Sequence, residues 1–241
     1  MADRDESNDQ LPAARKAAEI ETFLRQVKAM PAVRSATGRG RLIFALDATA
    51  SREATWDHAC RLQGEMFEAA AALGGLDVQL VFYRGFDECK ASRWLGTAAD
   101  LHRAMNSVSC IGGETQISRV LGHALKEARA EKVHALVFVG DAMEERVDEL
   151  SRMAGELGLL GVPVFLFHEG GDETAGRAFR QIAKLSGGAY CPFDIGSAGQ
   201  LRQLLGAVAA YAAGGQRALT AYGKRAGGAA LLLAGSVGKK A

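Results

Sequence analysis

Two rhythms of apolar residues alternate along the chain. Short apolar runs at Arg41–Leu46, Leu76–Tyr83, Val133–Val139 and Val162–Phe167 predict buried strands, and Ala189-Tyr190-Cys191 predicts a shorter last one. Between them, apolar residues recur at the three-to-four spacing of a helical face. Such stretches predict helices over Leu11–Met30, Thr55–Leu73, Thr97–Met105, Gln116–Ala130, Met143–Leu157, Thr174–Leu185 and Ser197–Tyr211. In the first, Ile20, Phe23, Leu24 and Val27 share one face and Pro31 ends it. Gly74-Gly75 stops the second. Gly85-Phe86-Asp87 reads as a tight turn, with Glu88–Ser92 returning as a short antiparallel strand. The segment NSVSCIGGET, Asn106–Thr115, is irregular.

Strands that alternate with helices make βαβ crossovers, hence an α/β fold whose mostly parallel sheet is covered on both faces. That burial explains why the strands are continuous apolar runs. Ligands bind such sheets outside the carboxyl ends of the strands, at the switch point of strand order. Asp47 closes the first predicted strand and Gly140-Asp141 follows the third. In a 3-2-1-4-5-6 order these two strands are neighbours, so two carboxylates distant in sequence converge.

Asp47 opens the run Asp47-Ala48-Thr49-Ala50-Ser51, in which two hydroxyls follow at alternate positions. This run resembles the DxSxS motif of von Willebrand factor type A (VWA) domains, with Thr49 at the middle hydroxyl. Gly112-Gly113-Glu114-Thr115 resembles the loop that supplies that family's single threonine, and Gly140-Asp141 its last aspartate. The resemblance covers roughly residues 40–212, and the hairpin near Glu88 also suits that fold. It implies a Rossmann-like three-layer αβα domain with a six-stranded sheet and one antiparallel edge strand. It also implies a metal-ion-dependent adhesion site of the bacterial intracellular type, with Asp47, Thr49, Ser51, Thr115 and Asp141 holding Mg2+ or Mn2+.

The chemistry of such a site follows from its donors. Mg2+ is small, hard and octahedral, and neutral hydroxyls from Thr49, Ser51 and Thr115 leave its charge under-neutralised. The ion then attracts an outside carboxylate, which is recognition without bond breaking. The resemblance implies a protein partner, for example an AAA+ ATPase or its substrate. Thr49 departs from the usual serine; it keeps the hydroxyl but adds a methyl that restricts χ1. The bland alternative has Asp47 and Asp141 capping helices and Thr49 and Ser51 forming local turns, with no ion. The expected organisation is a polar start and accessory helix over 1–38, the domain over 39–212, and a basic Ala/Gly-rich extension over 213–241.

Composition narrows the function classes. The net charge is +1, so no global field recruits nucleic acid or membrane. From Thr174 onward nine basic residues stand against Asp194 alone, +8, which leaves −7 on the rest. This basic part reads as a solvated face or as a docking surface for an acidic partner; aromatic residues there are too sparse to stack bases. The cysteines at 60, 89, 110 and 191 have no zinc-like spacing. MADRDESNDQ is no signal peptide, and the apolar run GGAALLLAGSVG falls short of the ~20 residues of a spanning helix. Together these predict a cytoplasmic protein.

Two rival readings remain. A haloacid-dehalogenase-like phosphatase also starts from an Asp at a strand end, but needs a second carboxylate where this chain has Thr49 and a lysine for which Lys132 is the candidate. A scaffold with a vestigial metal site is the other. Glu144 and Glu145 are expected to favour a helix N-terminus or to sit near the ion. His168, Glu169 and Asp172 are expected as rim loop residues, and His58, His102, His123 and His134 as core-edge or surface residues. Cys110 reads as an inert thiol, and Arg84, Lys90, Arg93 and Trp94 as an edge-strand cluster that blocks aggregation or meets a partner.

Overall fold

A computed structural model describes residues 13–30, 39–53, 75–193 and 198–226. The predicted helix Thr55–Leu73, with His58 and Cys60, lies outside the described residues, as does GGAALLLAGSVG. Six strands form one sheet: β1 Gly40–Asp47, β2 Leu76–Arg84, β3 Glu88–Ala91, β4 Ala135–Gly140, β5 Val164–Glu169 and β6 Ala189–Phe193. The order is β3-β2-β1-β4-β5-β6, with β3 antiparallel to β2 at the edge and every other pairing parallel. The described helices are α1 Ala13–Ala29, α2 Ala98–Asn106, α3 Ile117–Ala130, α4 Val147–Leu159, α5 Glu173–Ser186 and α6 Ala198–Ala226.

The pleat divides the strand residues between two cores, because successive side chains point to opposite faces. Leu42, Phe44, Leu46, Val137, Val139, Phe165 and Phe167 meet α1, α2 and α6 on one face. Ile43, Ala45, Val81, Tyr83, Leu136, Phe138 and Leu166 meet α3, α4 and α5 on the other. Phe23 of α1 packs its ring 6.0 Å from that of Phe165 and 5.4 Å from that of Phe167, which docks this helix on the sheet.

Most boundaries fall within two residues of the sequence expectation, and three of the differences bear on packing or on the site. The predicted Met143–Leu157 helix begins only at Val147, because Glu144 and Glu145 are drawn across to the start of α3. β4 starts at Ala135, so His134 precedes the strand; its Nδ1 accepts the Arg41 N–H at 2.9 Å. The last helix continues past Tyr211 to Ala226 with a break at Gly214 and Gly215, where Gly215 adopts φ +64°. The second half folds back on the first, since a Cβ on Gly206 would stand 2.1 Å from the Tyr222 hydroxyl. Within the basic part of the chain, Arg180 lies on α5 with its guanidinium 4.5 Å from the Tyr190 ring and 3.9 Å from Glu19 of α1. No described helix is long and apolar enough to cross a membrane.

Candidate metal site

β1 and β4 are central neighbours whose carboxyl ends lie side by side, with Leu46 in register with Val139. A Cβ on Gly140 would stand 3.6 Å from that of Asp47, so Asp141 follows directly beside it. Asp47 is fully buried. Its Oδ1 accepts the Thr49 N–H at 2.8 Å and its Oδ2 accepts the Tyr83 hydroxyl at 2.9 Å. Burial raises the Asp47 pKa; the bonds from Thr49 oppose that shift and the nearby Asp141 charge adds to it. Asp141 Oδ1 is buried and has no hydrogen-bond partner within the described structure.

Beyond Asp47 the chain turns. Ala48 N–H still reaches the Tyr83 carbonyl at 2.9 Å, then Ala50–Arg52 forms one 3-10 turn. Thr49 is extended at φ −75°, ψ 165° and makes no capping bond. Its Oγ1 lies 3.1 Å from Ser51 Oγ, so the two hydroxyls share one side as the alternating spacing requires. Asp141 does not cap α4, whose N-cap residue Arg146 makes no side-chain capping bond. Asp47 bonds Thr49 N–H locally and Tyr83 across the sheet, and the helix predicted after it lies outside the described residues.

The Thr115 loop is sewn to the same edge. Ile111 N–H donates to the Ala48 carbonyl at 3.1 Å, and Glu114 N–H to the Gly85 carbonyl at 3.2 Å. A Cβ on Gly113 would lie 2.0 Å from the Gly85 oxygen, so only glycine permits that approach. Thr115 is held reciprocally by Glu144: its N–H donates to Oε2 at 3.0 Å and its Oγ1 accepts the Glu144 N–H at 3.1 Å. Glu145 accepts the N–H groups of Ile117 and Ser118, the latter at 2.9 Å. Both glutamates thus serve the N-terminus of α3, not of the helix that follows them.

His168 is not a rim loop residue. It is 2% exposed, at the end of β5. Its Nε2 lies 3.3 Å from the Asp141 carbonyl and its Nδ1 2.9 Å from the Tyr190 hydroxyl. A carbonyl only accepts, so Nε2 carries the proton and Nδ1 accepts from Tyr190. Burial lowers its pKa, which keeps the ring neutral.

Sequence reasoning missed Tyr83 and Arg52, and named His168 only as a rim residue. Tyr83 is the register partner of Asp47 across β1 and β2. His168 is the β5 partner of Gly140. Arg52, next after Ser51, is 1% exposed and ion-paired with Glu169 at the end of β5. Burial lowers the Arg52 pKa, against which the charges of Asp141 and Asp47 hold its proton. Register, applied to strand ends, was the available signal for Tyr83 and His168.

The five residues named from sequence therefore lie at one sheet edge: Asp47, Thr49 and Thr115 are buried, Asp141 is half-buried and Ser51 is exposed. The set is all oxygen, two carboxylates and three hydroxyls, which suits a hard cation such as Mg2+ or Mn2+. Among the described residues no three His, Cys, Asp or Glu side chains cluster so as to hold a metal ion; this edge offers two carboxylates and relies on hydroxyls for the rest. Cys89 and Cys191 are pushed up to about 11 and about 12 by burial, and burial also raises Cys110, so none is a ready thiolate ligand.

Comparison with protein-family models finds no match, and comparison with curated proteins finds none either. Solved structures do resemble the fold. The SpRpn10 VWA domain matches with 13% identity over 73% of this chain and 97% of that one, TM-score 0.53. Proximal thread matrix protein 1 from the mussel byssus, with a zinc-occupied metal-ion-dependent adhesion site, matches with 16% identity over 71% of this chain, TM-score 0.53. The chain spans 46% of that mussel protein's length. The manganese-loaded TRAP protein of Plasmodium vivax matches with 13% identity over 70% of this chain and 74% of that one, TM-score 0.52. At these identities the likeness is one of fold: six strands in the order 3-2-1-4-5-6, one antiparallel edge, helices on both faces, a VWA-like Rossmann arrangement.

Proposed function

We propose that this chain is a non-catalytic interaction domain that holds Mg2+ or Mn2+ among Asp47, Thr49, Ser51, Thr115 and Asp141 and so captures an acidic side chain of a protein partner. The observation that carries this reading is Asp141 Oδ1, a buried carboxylate oxygen without a donor, beside the buried Asp47 and two hydroxyls 3.1 Å apart. Such an oxygen is costly to bury unless a cation meets it. A bound ion supplies an open coordination position for an outside carboxylate. Tyr83 and the Thr49 N–H fix the Asp47 carboxylate, Glu144 fixes Thr115, and His168 fixes the Asp141 backbone.

The rim supports a protein partner. Phe86 and Ile111 are 71% and 44% exposed, and their loops are joined by the Gly85 N–H to Ile111 carbonyl bond at 3.4 Å. An acidic residue with an apolar neighbour fits that surface, and a cytoplasmic AAA+ ATPase offering such a pair would be one partner. The phosphatase reading is disfavoured: Lys132 Nζ donates to the Leu160 and Gly161 carbonyls at 3.0 and 3.1 Å, at the amino edge of the sheet, away from Asp47.

The test is a Mn2+ titration read by thermal shift and by capture on an acidic peptide surface, with and without EDTA. Wild type should be stabilised as the ion passes its dissociation constant, and capture should need the metal. Ser51→Ala and Asp141→Asn should blunt both. Equal responses from wild type and both variants would overturn the reading and leave the vestigial scaffold.

A further inference from the structure

Arg52 is unexpected beside a cation site. It directly follows Ser51, is 1% exposed, and pairs with Glu169, itself only 12% exposed at the side chain. The Arg52 side chain runs from just past β1 to Glu169 at the end of β5, and β4, which ends beside Asp141, lies between those two strands. Three carboxylates, Asp47, Asp141 and Glu169, thus stand along the reach of one guanidinium, a net −2 with all ionised. Arginine keeps its charge in almost any surroundings, so it acts as a fixed cation.

We propose that Arg52 is the resident counter-cation of this edge: it neutralises the site carboxylates when no metal is bound and opposes metal binding when one arrives. Glu169 sets the balance by offsetting part of the guanidinium's charge. The inference rests on the metal reading only for its second half. The first half concerns charges present in the metal-free chain.

Two opposite effects follow for metal affinity. Arg52→Met removes a fixed positive charge next to the ion, so Mn2+ should bind tighter by about tenfold or more. Glu169→Gln leaves the guanidinium's charge without its offset beside the site, so Mn2+ should bind weaker. Arg52→Lys keeps the charge and should stay near wild type. A purely structural arginine would give the reverse for Arg52→Met: disruption of the Thr49–Arg52 turn and weaker binding. Where Arg52→Met does not fold alone, Arg52→Met/Glu169→Gln also removes the carboxylate left facing its lost partner and should bind Mn2+ tighter than Glu169→Gln.

The metal-free half is tested in EDTA by thermal melts of Arg52→Met, Asp141→Asn and the double variant. Without Arg52 the carboxylates repel, so Asp141→Asn should recover part of the Arg52→Met loss, a non-additivity of about 2 °C or more. Additive losses in EDTA overturn the proposal, as does equal or weaker Mn2+ binding by Arg52→Met. If the variants couple in EDTA and none binds Mn2+, Arg52 stands as the site's cation and the metal reading falls. If Mn2+ binds all variants equally and the losses add, the metal reading stands and this proposal falls.

Discussion

Tyr83→Phe isolates one hydroxyl at the base of the candidate site. Tyr83 and Asp47 are both fully buried, and the hydroxyl donates to Asp47 Oδ2 at 2.9 Å. Phenylalanine keeps the ring and its stacking on Phe138, whose centroid is 6.2 Å away with 17° between the planes. The change therefore removes a charge-assisted bond and little packing. A hydrogen bond to a buried charge contributes about 1.5–3 kcal/mol. For a domain of this size that corresponds to a melting temperature lower by about 3–12 °C.

The pH dependence sharpens the test. Burial already holds the Asp47 carboxyl above its ordinary value, and loss of a donor raises it further. A carboxylate with a raised folded pKa costs stability when ionised, so its cost appears as pH rises through that value. The deficit of Tyr83→Phe should therefore be largest at pH 8 and shrink on acidification, as Asp47 takes a proton in both proteins. Melts in EDTA at several pH values read it directly. Superimposed melts at pH 8, or a deficit that grows in acid, would refute the assignment of Tyr83 as the donor that keeps Asp47 charged.

Three further perturbations test the supporting frame. Glu145→Gln weakens the carboxylate cap on the Ile117 and Ser118 N–H groups; it should cost about 1 kcal/mol and speed exchange of those two amides. Gly113→Ala places a Cβ 2.0 Å from the Gly85 carbonyl, so melting temperature and any Mn2+ shift should both fall, whereas Gly112→Ala, with open space at its Cβ, should preserve them. His168 has a folded pKa lowered from 6.5 by burial, so unfolding takes up a proton as pH falls below that value. Melting temperature should therefore drop below about pH 6.5, and His168→Gln should flatten the slope, leaving the part due to His123, which burial shifts in the same direction.

The alternation of strands and helices was legible from periodicity, and the strand order and converging aspartates from the resemblance and the doubly wound template it implies. The continuous apolar runs required a sheet covered on both sides, and that sheet brought Asp47 beside Gly140-Asp141. The supporting residues were not legible, because each acts through register. Tyr83 reads as one more apolar position until β2 is aligned with β1. Glu144 and Glu145 look like the acidic first turn of their own helix, yet bond the start of α3. Their true target is 27 to 29 residues earlier, a separation that no local pattern encodes.

The placement of a cation can be reasoned by elimination over the carboxylates of this edge. Glu144 and Glu145 spend their oxygens on backbone N–H groups at the start of α3. Glu169 faces Arg52. Asp47 receives the Tyr83 hydroxyl on one oxygen and the Thr49 N–H on the other. Among these carboxylates Asp141 alone has a buried oxygen without a donor, and its backbone carbonyl accepts from His168. The Thr49 and Ser51 hydroxyls stand on the adjacent strand end. Donors are matched to every other carboxylate here, whereas no hydrogen bond, from Arg52 or any other described donor, reaches this oxygen of Asp141, so a directly bound cation has most to gain there. The methyl of Thr49 does not turn its hydroxyl away from Ser51, which makes the one departure from the family motif compatible with that role.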